Sequence, residues 1–288
     1  MNFPFVKGHG THNDFVVLPD PDGSVHGDLE PGVVAQLCDR RGGIGADGVL
    51  RVLRGDLDGG ADWFMDYRNA DGSVSEMCGN GVRVFARYLE SSGLVDPAGL
   101  DGPLAVDTRD GIKQVTYCDD GEISVDMGAP AIGDRVDVTA NGHHYDAVRV
   151  DTGNPHAVVF VETLAEIGDL GRAPISCAEE YPDGVNVEFV AAAGDQAISM
   201  RVYERGAGET WSCGTGACAA VAAAASRSAG TTSPELPTTC SVTVPGGVLT
   251  VTWGVDGHLH LKGPAVLVAT GTWTAPAEKS SVETASPT

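Results

Sequence analysis

A Cys-Gly-x-Gly motif occurs twice in the chain, and this repeat constrains the fold more than any other feature. The first copy reads MCGNGVR over residues 77–83, and the second reads SCGTGA over residues 212–217. Each copy opens onto a stretch with helical character, 82–89 in the first case and 217–226 in the second. The glycines of such a turn let the backbone approach a ligand closely. Since a helix start directs free N–H groups and a positive dipole towards the cysteine, we expect a lowered thiol pKa in both copies.

The two motifs belong to a longer internal repeat. Four pairs of landmarks recur in the same order, at separations of 135 to 141 positions: Asn13 with Asn154, 47–49 with 183–185, Asn69 with Glu204, and Cys78 with Cys213. Four matches in one order indicate two homologous halves. We expect the halves to face each other with one cysteine from each at a shared cleft, where ligand sites commonly lie.

The pattern of apolar residues predicts a strand-rich chain with few helices. Alternating stretches at 104–108, 112–117 and 122–127 are typical of three antiparallel strands. The helix expected at 217–226 is rich in alanine, so it can pack closely on all sides, as a helix wrapped by a sheet would.

The first residues of the chain predict a hairpin and a helix. Strands are expected at 3–7 and 14–18, joined by a turn at Gly8-His9-Gly10. A helix is expected at 31–38, with Pro31 in its first turn, where proline is well tolerated.

These elements together predict an α/β (α+β) fold made of two pseudo-symmetric domains. The first domain would comprise residues 1–128 plus 264–274, because the last strand returns to it, and would carry Cys78. The second would comprise 129–263 and carry Cys213. Residues 275–288 are small, polar and proline-containing, and we expect them to form a disordered tail.

Composition excludes several classes of partner. The net charge is −22, from 40 acidic and 18 basic residues, so little is available to bind nucleic acid or an anionic membrane. No stretch approaches the roughly 20 apolar residues of a membrane span, and residues 1–10 lack the apolar core of a signal peptide. The seven cysteines are an odd number without a CxxC pair. We therefore expect reduced thiols and a cytoplasmic location.

Cys78 and Cys213 are the candidate catalytic residues, because low-pKa thiols are found at helix N-termini. The alternative is that they are ordinary buried thiols. The remaining cysteines lack such a setting and are interpreted as structural: Cys38, Cys118, Cys177, Cys218 and Cys240. No cysteine and histidine spacing is typical of zinc, so no metal site is expected.

Glu204 and Arg205 directly precede the second motif and suit an amino-acid head group. The guanidinium offers a planar fork for a carboxylate, and the carboxylate accepts from an ammonium. A solvated charge cluster is the alternative. Four asparagines at predicted strand ends could add amide contacts to a zwitterion, unless they are turn residues: Asn13, Asn69, Asn154 and Asn186. His156 is either a structural residue or an imidazole that holds a neighbouring thiol as thiolate.

Several motifs in addition to the two cysteine motifs carry a family resemblance. They are NDF at 13–15, GIGADG at 43–48, RNADG at 68–72, GNPH at 153–156 and ERGAGET at 204–210. With these in place, the sequence resembles the diaminopimelate epimerase family from residue 7 to about residue 268, and most closely its actinobacterial members. The resemblance implies two similar domains, each a mixed or antiparallel sheet curled around a central helix, with the active site in the cleft between them.

The resemblance also implies an activity. Members of this family interconvert LL- and meso-diaminopimelate without pyridoxal phosphate or another cofactor, for lysine and peptidoglycan synthesis. A small amino acid would be the ligand, and a homodimer is left open as the assembly.

Individual residues can be carried over onto the matching motifs. Cys78 and Cys213 would be the acid and base, and His156 and Glu204 would tune catalysis. Substrate would be bound by side chains or backbone at Asn13, Asn69, Gly79, Asn80, Asn154, Asn186, Glu204, Arg205, Gly214 and Thr215. One position departs from the pattern, because many relatives carry glutamine where this chain has Gly48.

Two thiols suit the inversion of an α-carbon, since one removes a proton from one face while the other delivers a proton to the opposite face. The two helix starts could stabilise the negative charge that develops on the carboxylate. No lysine stands out as a Schiff-base residue among Lys7, Lys113, Lys262 and Lys279. The rival interpretations are a proline or hydroxyproline racemase, and a non-catalytic amino-acid-binding or phenazine-type isomerase relative, which should lack one or both cysteines.

Overall fold

The computed structural model describes residues 2–55, 59–176 and 179–274. The predicted tail at 275–288 and Cys177 lie outside the described residues. The three α-helices are α1 (Pro31–Cys38), α2 (Gly79–Ser91) and α3 (Gly214–Ala229). The strands are β1 (Asn2–Gly10), β2 (Asn13–Pro19), β3 (Gly48–Arg54), β4 (Trp63–Asn69), β5 (Leu104–Asp107), β6 (Lys113–Tyr117), β7 (Ile123–Asp126), β8 (Ala131–Ala140), β9 (His143–Asp151), β10 (Pro155–Phe160), β11 (Ile175–Ser176), β12 (Asn186–Gly194), β13 (Ala197–Glu204), β14 (Gly208–Thr210), β15 (Thr238–Val244), β16 (Gly247–Trp253), β17 (Leu259–Gly263) and β18 (Val266–Thr274). Within the described ranges, no helix has the length and apolar character needed to cross a membrane.

The strands pair in the same order twice, which is the structural form of the sequence repeat. In one series β18, β1 and β2 are antiparallel, β2 and β3 are parallel, β3 and β4 are antiparallel, and β4 is parallel to β5. The second series has β8, β9 and β10, then β12, β13 and β15, in the same relative directions. Each series ends in an antiparallel meander, β5–β6–β7 or β15–β16–β17. The predicted α/β fold is confirmed.

The two series are joined into one hydrogen-bonded network. Equivalent strands β7 and β17 pair across the join, with Asp126 opposite His260. One large apolar core contains residues from both series, including Phe85 of α2 and Val221 of α3. The boundaries proposed from the sequence for two domains stay a prediction.

Strand register corrects one of the sequence matches. In the first series Gly48 is opposite Phe15 on one side and Asn69 on the other. The corresponding position of the second series, opposite His156, is Asn186. The match of 47–49 with 183–185 was therefore wrong by two residues, because 183–184 belong to the turn that precedes β12 and not to the strand.

Both cysteines are the N-cap residues of their helices. Cys78 precedes α2 and Cys213 precedes α3, each with extended backbone angles and a sulfur that accepts from the N–H three residues later. The helices therefore start three residues earlier than the sequence predicted, and the glycines lie in the first helical turn. The thiol takes the place that a serine or threonine hydroxyl commonly fills at an N-cap.

The starts of α2 and α3 touch each other through glycine. A Cβ atom added to Gly214 would lie 3.6 Å from the Gly79 Cα atom, and 2.8 Å from Cδ2 of Leu261. A Cβ atom on Gly79 would lie 2.9 Å from the same leucine methyl group. Leu261, which is fully buried on β17, thus packs against both helix starts. Larger residues at the two glycines would force the helices apart.

The first hairpin turns at Thr11-His12, not at Gly8-His9-Gly10 as predicted. Both turn residues have positive φ angles, 49° and 63°. Gly8 and Gly10 lie within β1, where added Cβ atoms would come within 3.0 Å of the Val266 carbonyl oxygen and 3.1 Å of the Arg83 guanidinium. The glycines therefore permit close packing instead of a turn. At the turn itself, the Thr11 hydroxyl lies 2.5 Å from that of Ser212, next to Cys213.

We predict that Leu261→Ala destabilises the protein by about 2–5 kcal/mol, because it leaves a cavity beneath both helix starts. Equilibrium unfolding in urea measures this change. His260→Ala, at the neighbouring position where the side chain is 33% exposed, is the matched control and should cost less than about 1 kcal/mol. Equal effects of the two substitutions would contradict this account of the packing.

Candidate active site

A pocket of about 250 Å³ opens between the starts of α2 and α3. This volume suits a ligand smaller than a typical drug molecule. With one exception, the structure brings together every site residue predicted from the sequence in the lining of this pocket: Asn13, Asn69, Cys78, Gly79, Asn80, Asn154, Asn186, Glu204, Arg205, Cys213, Gly214 and Thr215. The exception is His156.

The two sulfurs have equivalent surroundings. Cys78 Sγ accepts from the Gly81 N–H at 3.4 Å, and Cys213 Sγ accepts from the Gly216 N–H at the same distance. Cys78 also lies 3.6 Å from the Asn13 side-chain oxygen, and Cys213 lies 3.4 Å from the Thr215 hydroxyl. Both thiols are free. Each half of the chain therefore delivers one N-cap thiol to the same pocket.

The expected lowering of the thiol pKa values is contradicted. Burial raises the pKa of Cys78 to about 11, although the N–H of Gly81 and the charge of Arg83 act in the opposite direction. Burial, followed by the negative charges of Glu204 and Glu188, raises the pKa of Cys213 well above its usual range. Desolvation and two carboxylates thus outweigh the helix starts, and the thiol forms are favoured.

Glu204 is the carboxylate whose negative charge acts most strongly on the Cys213 thiol. It accepts a hydrogen bond from the Thr210 hydroxyl, and burial raises its pKa from the ordinary value, with the charge of Glu188 adding to the effect. A bound ammonium group would stabilise the carboxylate form of Glu204, since an opposite charge favours ionisation.

His156 lies behind the pocket wall and is fully buried. One ring nitrogen, Nδ1, lies 2.7 Å from Glu188 Oε1, and the other, Nε2, lies 2.8 Å from Asn154 Oδ1. The structure thus does not bring the imidazole into hydrogen-bond contact with a thiol. The ring thus engages the Asn154 side-chain oxygen, and among the described residues the Asn154 amide NH₂ has no partner and is available to the pocket that Asn154 lines. Glu188 in turn fixes the ring, so the pair orients Asn154.

A buried arginine, Arg83, orients Asn80 in the first half of the site, as His156 orients Asn154 in the second. Arg83 is fully buried in α2, and burial lowers its pKa to about 10. It donates to Asn80 Oδ1 at 2.8 Å, which turns the Asn80 NH₂ group towards Asn13 Oδ1 and the carbonyl of Ser212. This chain of hydrogen bonds links α2 to the residue before Cys213. Arg83 therefore supports the site and is not solvated.

The remaining predicted binding residues differ in how much of their polar surface is free. Asn186 accepts from the Arg205 N–H at 2.9 Å and donates to the Pro155 carbonyl at 3.2 Å. Asn69 donates to the Ser73 hydroxyl at 3.0 Å. The Arg205 side chain is exposed and donates only a single 3.3 Å hydrogen bond within the described residues, to the Asp183 carbonyl. Arg205 is thus the cation available to a ligand carboxylate.

A larger cleft of about 1100 Å³ adjoins the pocket. It shares residues with the pocket, including Tyr67, Asn69 and Arg205, but its lining contains neither Gly79 nor Gly214. The cleft therefore extends the pocket past Cys78 and away from the two glycines.

None of the described lysines lines the pocket, and each pairs with a carboxylate. Lys7 pairs with Asp14, Lys113 with Asp110 and Lys262 with Asp120. Apart from Arg205, the donors that line the pocket are helix N–H groups, side-chain amides and hydroxyls.

Sequence reasoning missed several residues of this region, among them Tyr67, Glu188 and Ser212. Glu188 had a usable signal, because it is the one charged residue in the apolar stretch of β12. Tyr67 lies two positions before Asn69 on β4, so the side chains of the two residues share one face of the strand. Nothing in the sequence indicated that the Ser212 hydroxyl would meet Thr11 across the two halves.

We predict that alkylation of Cys78 by iodoacetamide is slow at pH 7 and accelerates about tenfold per pH unit up to pH 10, because the thiolate is the reactive form and its pKa is about 11. Peptide mass spectrometry of the carboxamidomethylated cysteine gives the rate. Glutathione, an unburied thiol, is the control and should approach its plateau near pH 9. A plateau for Cys78 below pH 8 would contradict the raised pKa.

Comparison with solved structures identifies the fold. A phenazine biosynthesis protein of the PhzF family from Bacillus anthracis aligns with a TM-score of 0.70 at 17% identity, over 96% of this chain and 100% of its own. A hydroxyproline epimerase from Agrobacterium vitis aligns with a TM-score of 0.68 at 17% identity, over 94% of this chain and 92% of its own. At this identity the likeness concerns the fold alone.

Comparison of sequences is more specific. The family model for diaminopimelate epimerase matches residues 5–132 and 148–268. The diaminopimelate epimerase of Streptomyces coelicolor is 50% identical over 278 residues, covering 93% of this chain and 94% of its own length. That of Thermobifida fusca is 50% identical over 280 residues, covering 93% and 96%. Since both matches extend over most of its length, the chain belongs to the diaminopimelate epimerase family.

Proposed function

We propose that this protein epimerises diaminopimelate, interconverting the LL and meso forms by two-base proton transfer at the α-carbon. The observation that carries the proposal is the pair of N-cap thiols, Cys78 and Cys213, which line one pocket between two touching helix starts. Family membership supports the choice of substrate. The product would serve lysine and peptidoglycan synthesis.

In the proposed reaction, the thiolate of one cysteine removes the α-proton and becomes a thiol. The electron pair left on the α-carbon delocalises into the adjacent carboxylate. The thiol of the other cysteine then delivers its proton to the opposite face and becomes a thiolate, so that configuration is inverted and protons balance. The reverse reaction exchanges the two roles, which explains why each half supplies the same group.

The helix starts would stabilise the negative charge that develops on the carboxylate. The first N–H groups of a helix have no intrahelical acceptor. In α2 and α3 these belong to Gly79, Asn80, Gly214 and Thr215, all of which line the pocket. Fixed N–H donors in a site shielded from water are effective at stabilising such charge. No cofactor is needed in this scheme.

Substrate binding would also generate the reactive thiolate. In the described site, burial and two carboxylates oppose ionisation of Cys213. An α-ammonium group placed beside Glu204 would offset these charges and favour the thiolate at the moment of reaction. Arg205 and the free amide of Asn154 would hold carboxylate oxygens of the same ligand.

We predict that Cys78→Ala and Cys213→Ala each lower epimerisation by about 10²–10⁴-fold or more, because each removes one of the two proton-transfer groups. Epimerisation of LL-diaminopimelate in heavy water, followed by chiral chromatography and mass spectrometry, measures both inversion and deuterium uptake. Cys118→Ala is the matched control, since that thiol lies outside the pocket, and should retain activity.

Near-normal turnover by Cys213→Ala would refute the two-base scheme. L-Proline is the comparison substrate for the rival racemase assignment, and the unsubstituted enzyme should introduce no deuterium into it. Faster exchange into proline than into diaminopimelate would overturn the choice of substrate.

We further propose that the protein acts in the cytoplasm as a homodimer. The free thiols of the site require a reducing compartment to remain free. Among the described strands, β18 pairs with β1 alone, and its nine residues include no charged side chain. Such an open edge favours pairing with a second copy.

Sedimentation velocity tests the assembly. We predict a dimer for the unsubstituted chain and a monomer for Val268→Lys, because a charge on the exposed edge opposes pairing. Val255→Lys, at an exposed residue outside β18, is the control and should leave the dimer intact. A monomeric unsubstituted chain, or a dimer unaffected by Val268→Lys, would contradict this interface.

A further inference from the structure

Tyr67 has an unused polar group at the junction of the pocket and the adjoining cleft. Its side chain lines both spaces and is 9% exposed. Elsewhere, the Tyr117 hydroxyl donates to the carbonyl oxygen of Ala86 and the Tyr181 hydroxyl to that of His156. The Tyr67 hydroxyl has no hydrogen-bond partner among the described residues. A hydroxyl at the surface of a pocket that donates to no protein group is available to donate to a ligand.

The chain makes room for this side chain by having glycine at position 48. A Cβ atom on Gly48 would lie 2.8 Å from the Tyr67 ring and 2.6 Å from the Arg68 carbonyl oxygen. The ring also packs edge-on against Phe15, with centroids 6.0 Å apart. Glycine at 48 and tyrosine at 67 therefore form one packing unit that fixes where the hydroxyl lies.

The second half of the chain has different residues at the positions equivalent to Gly48 and Tyr67. By strand register, Asn186 corresponds to Gly48 and the buried Val202 corresponds to Tyr67. The second half thus presents the amide of Asn186 from β12, whereas the first half presents the hydroxyl of Tyr67 from β4. This asymmetry suits a ligand whose reacting centre lies on the pseudo-symmetry axis while the rest of the molecule extends to one side.

Tyr67 lies where the pocket opens into the cleft, a position that suits contact with the part of the ligand that does not react. The reacting carboxylate would lie against the helix starts at Gly79 and Gly214. Tyr67, Asn69 and Arg205 line the cleft that leads away from those glycines. Burial raises the Tyr67 pKa well above its usual range, and the nearby Cys78 and Glu204 act in the same direction, so the hydroxyl keeps its proton and acts as a donor.

We propose that the Tyr67 hydroxyl donates a hydrogen bond to the distal carboxylate of diaminopimelate and so selects a substrate with two amino-acid head groups. The inference rests on the proposed function. It makes Tyr67 a specificity-determining residue with no role in proton transfer. Removing such a contact weakens ground state and transition state alike, which raises KM and leaves kcat largely unchanged.

Tyr67→Phe tests the assignment, because it keeps the ring and its packing and deletes one oxygen atom. We expect KM for LL-diaminopimelate to rise about tenfold or more, as for loss of a hydrogen bond to a charged group, with kcat little changed. L-Lysine has the same carbon chain without the distal carboxylate, so its binding, measured as inhibition of epimerisation, should be unaffected by Tyr67→Phe. Tyr117→Phe, which deletes a hydroxyl hydrogen-bonded within the protein, is the matched control and should not change KM.

An unchanged KM for diaminopimelate in Tyr67→Phe would overturn the proposal. Equal losses with diaminopimelate and lysine would also overturn it, since a purely structural role would lower both. Inactivity of the unsubstituted enzyme on diaminopimelate, with both cysteines intact, would refute the proposed function instead, and this inference with it.

Discussion

The direct contact between the starts of α2 and α3 is the constraint on which the rest of the site depends. Gly79 and Gly214 allow the two helix ends to meet above the fully buried Leu261. This contact places two N-cap thiols and two sets of unpaired helix N–H groups around one pocket. The repeated strand order supplies the symmetry that brings the helices to this position, and the β7–β17 pairing holds the halves together.

Burial has opposite effects on different parts of this arrangement. It strengthens the interaction of helix N–H groups with a developing negative charge, because the shielding by water is reduced. It also raises the pKa of both thiols, and the carboxylates Glu188 and Glu204 add to the effect at Cys213. The same carboxylates suit the ammonium group of an amino acid. A site of this kind would become reactive when its ligand supplies the missing positive charge.

Much of the site could be predicted from the sequence, because it lies in motifs that repeat at a nearly constant separation. The cysteines, the asparagines and the Glu204-Arg205 pair all line the pocket, as the spacing suggested. Features that depend on tertiary packing could not be predicted. The helix starts were placed three residues late because a cysteine N-cap resembles a glycine turn in sequence, and the thiol pKa values depend on burial that no local pattern reveals. The sequence leaves His156 either structural or beside a thiol, and only strand pairing shows that Glu188 lies next to its ring. The correspondence of Gly48 with Asn186, which gives Tyr67 its significance, became visible only in the strand register.

The central claim is that the sulfurs of Cys78 and Cys213 lie on opposite faces of one substrate carbon. A crystal structure of the protein with an unreactive diaminopimelate analogue measures this most directly. The account predicts an α-carbon between the two sulfurs, with each sulfur roughly 3–3.5 Å from that carbon. It also predicts a carboxylate against the N–H groups of Gly79 and Gly214. An analogue bound with both sulfurs on the same face, or with its α-carbon outside the pocket, would contradict it.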